Sequence, residues 1–516
     1  MIFDAAKLGD SLASQVDLSF DLIVVGSGAG GAPVAALCAE AGLSVVVVEA
    51  GGLILPAMAN QREADMLPQL YWESGARMSA DRAVHIHQGK GVGGSTLHNL
   101  NLCKRIPAPV LQAWRRERGL AHLPESRWDE LYTEAERLLE VGPASQQLAS
   151  KANGVLQRGC EALGWRGGPL RHNRSGCVGS GYCEVGCAFD AKNNALKVFI
   201  PRAVKAGAVV LSHCQAIEVL HDGHQVSGVR VAVVQPDGDG ATFIIRAPRV
   251  CLSASATGTA ALLLRSKVPC PDGSVGDTLR IHPAVVAAGE FERPLHTWRG
   301  IPQTWECTEL LDFEAAHNAT PASNHGGDGR IWIVPAFSHP MATAAMLPGF
   351  GATHVQAMGR YPHMMALTAM LHDRTEGRVR PNGALGLTIE YWPNEADRRA
   401  LSAGLVASAR LLFAAGARRV LVPAGELVVI ERVAELPRLA TLPVARHQLD
   451  ITAVHPMASV PMGDDPGVAA VDSRGKHHHM DGLWVADGSL FPGSIGVPPQ
   501  LSIYALGLHV ARHLIA

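Results

Sequence analysis

Four glycines fall within the six residues Gly26–Gly31, directly after the apolar run Leu22–Val25. A short all-apolar run reads as a fully buried strand, and so dense a glycine cluster cannot continue it. The residues that follow, Ala32 to Ala41, are small and helix-compatible. Pro33 among them sits in the first turn, where proline is tolerated. Ser44–Val48 is a second buried strand, and it ends on Glu49. Gly26, Gly28 and Gly31 thus form G-x-G-x-x-G inside a strand–loop–helix–strand–acid unit. Gly26 allows the tight turn, Gly28 and Ala29 bring backbone close to a pyrophosphate, and Gly31 lets helix pack on strand. The helix N-terminus then offers N–H groups and partial positive charge to phosphates. Glu49, at the end of the second strand, is placed to accept hydrogen bonds from a ribose. The unit predicts a dinucleotide site in an α/β fold.

The rest of the chain must supply what the dinucleotide acts on. With 516 residues, 47% hydrophobic and 18% charged, it has material for two or more structural units. A net charge of -2 gives no electrostatic case for nucleic acid, and no basic stripe is visible. The first twenty residues lack the basic and apolar regions of a signal peptide, and no stretch is apolar for the length of a membrane span. A soluble, cytoplasmic protein is expected, with its ten scattered cysteines as buried thiols rather than a disulfide framework.

A second glycine cluster, "HQGKGVGGSTLHNLNLCKRIP" (His87 to Pro107), reads as a loop whose backbone approaches something closely. Leu111 to Val141 is helical in pattern. "AIEVL", "VSGVRVAVV" and "TFIIRAPRV", with the turn "PDGDG" before the last, predict a three-stranded antiparallel meander over Ala216 to Val250. Residues 286 to 447 are richer in Trp, Pro, His and Met, and "NEADRRALSAGLVASARLLFAAGA" is an amphipathic helix. Six of the thirteen methionines fall between Met341 and Met370. They read as core, or as a flexible wall suited to a bulky apolar substrate. Near the chain's end, Gly482–Ala486 is a strand, Asp487 follows it, and Pro499 starts a final helix.

Together these pieces resemble the glucose–methanol–choline (GMC) flavin oxidoreductases. The glycine fingerprint, "GKGVGGSTLHN" with Arg105, "VGDTLRIHP", "HPMASVPMG" and "GLWVADGSLFPGSIGVPPQLSIYALG" fall in that family's order. The resemblance implies a Rossmann-like FAD-binding domain with the meander, discontinuous over 18–107, 195–285 and 448–516. It also implies a substrate domain over 286–447, built on an antiparallel sheet covered by helices, with a helical and cysteine-rich connection over 108–194. The implied cofactor is FAD. Gly26, Gly28, Ala29, Gly31 and Glu49 would hold its ADP half, with the backbone of Ala216 at the adenine. Gly93, Gly94, Ser95, His98 and Asn99 would line the flavin loop, Asp487 and Gly488 the ribityl–phosphate region, and Pro499 the helix end toward the flavin. His455 would be the active-site base that takes an alcohol's proton as hydride leaves for the flavin. The substrate is then a small-molecule alcohol, and an electron-acceptor protein is a further candidate partner.

Several features stand apart. His98 is open to a covalent bond with the flavin or to simple packing beside it, and packing is favoured. Cys177, Cys183 and Cys187, with His172 nearby, resemble a cysteine-rich segment of long-chain alcohol oxidase-like members. In certain dehydrogenase subunits a related segment holds an iron–sulfur cluster. Here Val178 replaces one cysteine, so structural thiols are favoured and no metal site is expected. "KHHHMD" (Lys476 to Asp481) reads as a solvated turn. In most relatives an Asn or His partners His455; here Pro498 or Pro499 stands there, and Gln500 or a residue of 286–447 is expected to replace it. Two other functions remain in view: an electron-transferring subunit with an iron–sulfur cluster, and a non-redox flavin-bound lyase or scaffold.

Overall fold

Leu22–Val25 and Val45–Val48 are buried along their whole length, so each needs cover on both faces, which a parallel sheet between helices provides. The computed structural model describes residues 1–8, 18–235, 238–270, 273–314 and 329–516. In it the two strands pair parallel, from Leu22 with Val45 to Val25 with Val48. They are the centre of a six-stranded sheet ordered Ile2–Asp4, Val209–Ser212, Val45–Val48, Leu22–Val25, Val250–Leu252, Leu483–Val485, with every neighbouring pair parallel. Helix Gly31–Glu40 joins the two central strands. The last helix, Gln500–Ile515, lies against the turn before it so closely that a Cβ on Gly507 would stand 2.5 Å from the Gly30 carbonyl oxygen.

The meander forms from Cys214–His221, Val226–Gln235 and Gly238–Arg246, with Leu18–Ser19 parallel at its edge. Its third strand begins and ends four residues earlier than the sequence pattern suggests. Pro248 has no N–H for a ladder, and Val250, expected at the end of this strand, instead opens a strand of the parallel sheet. In the turn "PDGDG", Pro236 and Asp237 lie outside the described residues. The helical stretch after residue 107 is two helices, Ala108–Arg118 and Glu125–Leu138, broken at Gly119, whose φ of +83° is left-handed.

A third sheet carries the substrate side. Val428–Ile430, Arg419–Val422, Ala284–Glu290, Met364–Leu371, Ile331–Ala336, Trp305–Cys307 and Gly167–Pro169 follow one another, each pair antiparallel. Helix Glu395–Ala414 packs on this sheet, its first turn capped by the Asn394 side chain. Two strands connect the sheet back to the nucleotide side. Ile451–Ala453 pairs with Ala284 on one edge and runs parallel to Val84–Ile86 on the other. His455 stands two residues beyond that strand, at the seam between the sheets. Among the described residues, no helix is long and apolar enough to cross a membrane.

Candidate active site

The turn after Val25 is shaped by close approach. A Cβ on Gly26, whose φ is +96°, would stand 2.3 Å from the Ser253 carbonyl oxygen; on Gly30, 1.6 Å from that of Ala486; on Gly31, 2.0 Å from that of Gly26. Gly28 differs: its nearest neighbour would be the Cα of Gly94 at 3.9 Å, an ordinary contact. Helix Gly31–Glu40 has no side-chain cap at its N-terminus, where Ala32 N donates to Gly28 O at 3.0 Å and Pro33 offers no N–H, so its positive end is left open to an anion. Glu49 accepts from Ser27 N (3.1 Å), Ser27 Oγ (2.7 Å), Gly51 N (2.9 Å) and Gly91 N (3.1 Å). Burial pushes its carboxyl up, and these donors pull it back. One carboxylate therefore ties both glycine loops together.

The second loop is held as tightly. Gly93 (φ +116°) donates its N–H to Ser27 Oγ at 3.0 Å, and Gly89 N donates to Ser95 Oγ at 2.9 Å. The buried Lys192 ammonium donates to the carbonyl oxygens of Leu97 (2.9 Å), Asn99 (2.6 Å) and Cys183 (2.7 Å), and burial pushes it down to about 8. The His98 ring packs against Tyr71 at 4.0 Å, centre to centre, with the two planes tilted by 40°. Its Nε2 is enclosed without a protein partner, and burial, helped by the Lys192 charge, holds the imidazole well below its usual range. Nothing in the sequence marked Lys192, a lone cation after the cysteine segment.

At the other end, His455 lines the cavity half-buried, and desolvation pushes its imidazole down to about 3. Its Nδ1 lies 3.2 Å from Nδ1 of His282, which is fully buried. His282 belongs to "VGDTLRIHP", which the sequence marked only as a crossing between domains. Pro498 and Pro499 line the same wall, and the last helix begins at Gln500, with Pro499 one position before it rather than inside it. Gln500, expected as a partner for His455, is engaged elsewhere. Its Oε1 accepts from Asn99 Nδ2 at 2.7 Å, while its Nε2 donates to Leu102 O at 2.7 Å and Asn173 Oδ1 at 3.1 Å. Asp487 accepts from Ser489 N (2.8 Å) and Thr259 Oγ1.

Most of these groups line one cavity of about 510 Å³, which Lys192 does not reach. Gly26, Gly28, Ala29, Glu49, Gly94, Ser95, His98, Asn99, Ala216, His455, Asp487, Gly488, Pro499 and Gln500 line it. Gly31 and Gly93 shape the wall from behind. Met346 and Met370 reach it with Trp332, whereas Met365 is core and Met341 is exposed. The cavity runs from an uncapped helix N-terminus and a ribose-type acceptor to a neutral imidazole, and that donor and acceptor set fits FAD.

The remaining candidates lie elsewhere. Cys177 Sγ accepts from Arg174 Nη1 (3.6 Å) and Gly179 N (3.5 Å), Cys187 Sγ accepts from Ala191 N (3.3 Å), and Cys183 is buried. His172 is bonded to Gln303 O at 2.9 Å. Among the described residues, no three His, Cys, Asp or Glu side chains are grouped to hold a metal ion. The histidine run is not a solvated turn: His477 is buried, and His478 and His479 bond to the carbonyls of Gly463 and Pro466.

Comparison with known proteins agrees with this architecture. Residues 67–284 and 373–507 match the family described as GMC oxidoreductase. An uncharacterized GMC-type oxidoreductase of Mycobacterium tuberculosis is 34% identical over 500 residues, covering 96% of this chain and 76% of that protein. A long-chain-alcohol oxidase of Arabidopsis thaliana is 26% identical over 540 residues, covering 98% of this chain and 69% of that protein. Pyridoxine 4-oxidase from Mesorbium loti shares the fold with a TM-score of 0.70 at 21% identity, over 96% of this chain and 98% of that one. The family match, the 34% relative and the shared fold converge: the chain belongs to the GMC oxidoreductase family, whose cofactor is FAD.

Proposed function

We propose that this protein oxidises the CH–OH group of an apolar alcohol to a carbonyl, with His455 receiving the hydroxyl proton. The observation that carries the reading is the opening of His455 into the same cavity as the Gly94–Asn99 loop. FAD, when bound, supplies the hydride acceptor. The chain's own residues orient the alcohol and handle the proton. Trp332, Met346, Met370 and Phe337 on the cavity wall favour an apolar substrate. The long-chain-alcohol oxidases among the relatives support the same direction.

FAD is held without a covalent bond in this reading, because the His98 ring is pinned against Tyr71 with its Nε2 enclosed. Denatured protein should therefore release all its yellow colour. The reaction is tested by anaerobic mixing with a graded panel of alcohols. Flavin bleaching by apolar members is expected, and His455→Ala should slow it by roughly 10²–10⁴-fold while leaving flavin content intact. Absence of bleaching across the panel, or full activity in H455A, would overturn the assignment.

A further inference from the structure

We propose that His282 is a positioning residue that fixes the tautomer of His455 and so sets how readily His455 accepts a proton. The inference rests on the reading of His455 given above and specifies its control. It follows from counting hydrogens along one chain of contacts. The Gly496 backbone N–H can only donate, and it donates to His282 Nε2 at 3.0 Å. A neutral imidazole carries one ring hydrogen, so that of His282 must be on Nδ1. His282 is 1% exposed, and burial, with His455 and His372 beside it, holds it well below the usual histidine range, so it is neutral. Its Nδ1–H therefore donates across 3.2 Å to His455 Nδ1. The single hydrogen of a neutral His455 then sits on Nε2, the nitrogen left to face the cavity.

The backbone is arranged for this contact. His282 has a φ of +51°, a left-handed conformation that a residue with a side chain adopts only under constraint. Asp373 supplies the constraint by accepting from Ile281 N (3.1 Å) and His282 N (3.4 Å), and Tyr391 Oη holds Asp373 at 2.8 Å. Gly496 is fixed too: its φ is +70°, and a Cβ there would stand 2.4 Å from the Phe313 ring. The remaining nearby titratable group, His372, bonds Ser494 O at 3.0 Å.

In the resting site His455 thus meets a substrate oxygen as a hydrogen-bond donor. Oxidation breaks the C–H and O–H bonds and forms C=O. FAD, when bound, would take up the hydride's electron pair, and the proton needs a lone pair on Nε2. That lone pair appears only when the His455 hydrogen is on Nδ1, where it opposes the His282 Nδ1–H. His282 therefore disfavours both the base-ready tautomer and the protonated product.

The test is ¹⁵N NMR of the flavin-loaded protein labelled at histidine, with His455 assigned by its loss in H455N. In the wild type, His455 should show a protonated Nε2 and a bare Nδ1. H282M, which has no donor, should show both tautomers. H282Q should restore the wild-type pattern, since Gly496 N–H orients its amide as it orients the imidazole. The acid limb of anaerobic flavin reduction should rise by about one pH unit in H282M, the worth of one such hydrogen bond, and stay in place in H282Q. A protonated Nδ1 on wild-type His455, or an acid limb common to all three proteins, would overturn the proposal. The wild-type spectrum needs no variant to fold. If no alcohol bleaches the flavin, the proposed reaction fails while the tautomer measurement still decides the role of His282.

Discussion

Lys192 brackets His98: its ammonium donates to the carbonyl oxygens of Leu97 and Asn99, the residues on either side. A third bond, to Cys183 O, anchors the same charge in the cysteine segment. The Gly94–Asn99 loop is thereby tied to the cysteine segment by one buried cation. Lys192→Met should leave three carbonyls unmet, at about 1–3 kcal/mol each. A melting midpoint lowered by several degrees and a reduced flavin-to-protein absorbance ratio are expected. Unchanged values for both would show that the loop does not depend on this cation.

Gly28 and Gly30 should respond oppositely to the same small change. A methyl group on Gly30 collides with the Ala486 carbonyl at 1.6 Å, so G30A should fail to fold or accumulate as aggregate. On Gly28 it meets only Gly94 at 3.9 Å, so G28A should fold yet fill the ground reserved for the pyrophosphate. Soluble, cooperatively melting, colourless G28A is the expected product, and circular dichroism with visible absorbance decides it.

Glu49→Gln should weaken FAD retention by roughly 10–100-fold. Its four donors need acceptors on both oxygens, and an amide turns one oxygen into a competing donor. Titration of stripped protein with FAD, followed by quenching of flavin fluorescence, measures the change. Equal affinity would remove Glu49 from the cofactor site.

Glu290 makes a pH-dependent contribution far from the cavity. Burial pushes its carboxyl up, but Arg419 and Arg360, at 2.7 and 2.8 Å, outweigh burial and hold it below the usual carboxylate range. A depressed carboxyl stabilises the fold above its unfolded value, about 4.3, and that stability is lost as pH falls through the folded value. E290Q should therefore melt below the wild type at neutral pH, with the gap closing under about pH 4. A gap constant from pH 7 to pH 3 would rule out the linkage.

The nucleotide half was legible because its logic is local. Leu22 to Glu49 is one strand–turn–helix–strand unit whose glycine spacing is read directly from the chain, although the backbone that crowds Gly26 and Gly30 comes from Ser253 and Ala486. The end around His455 was legible only in part. His455 could be placed by motif, but its partner His282 comes from 173 residues away, and no periodicity links the two. Gln500 could be recognised as a polar group at a helix start. Its attachment to Asn99 and Asn173 arises from how three segments meet, which residue type alone does not encode. The histidine run misled for a similar reason: three polar residues suggest solvent, whereas the carbonyls that receive His478 and His479 are supplied by another loop.

The order of strands in the parallel sheet also has a consequence for biosynthesis. Leu22–Val25 leaves the ribosome early, yet its neighbour Val250–Leu252 pairs on the far side with Leu483–Val485. At ordinary elongation rates the two ends of that partnership are separated by roughly twenty to ninety seconds. Throughout that interval the valine-rich strands exist without their full set of neighbours, and the Ala486 and Asp487 side of the cofactor cavity does not exist at all. The FAD cavity is therefore completed only once the segment carrying Asp487 has been made.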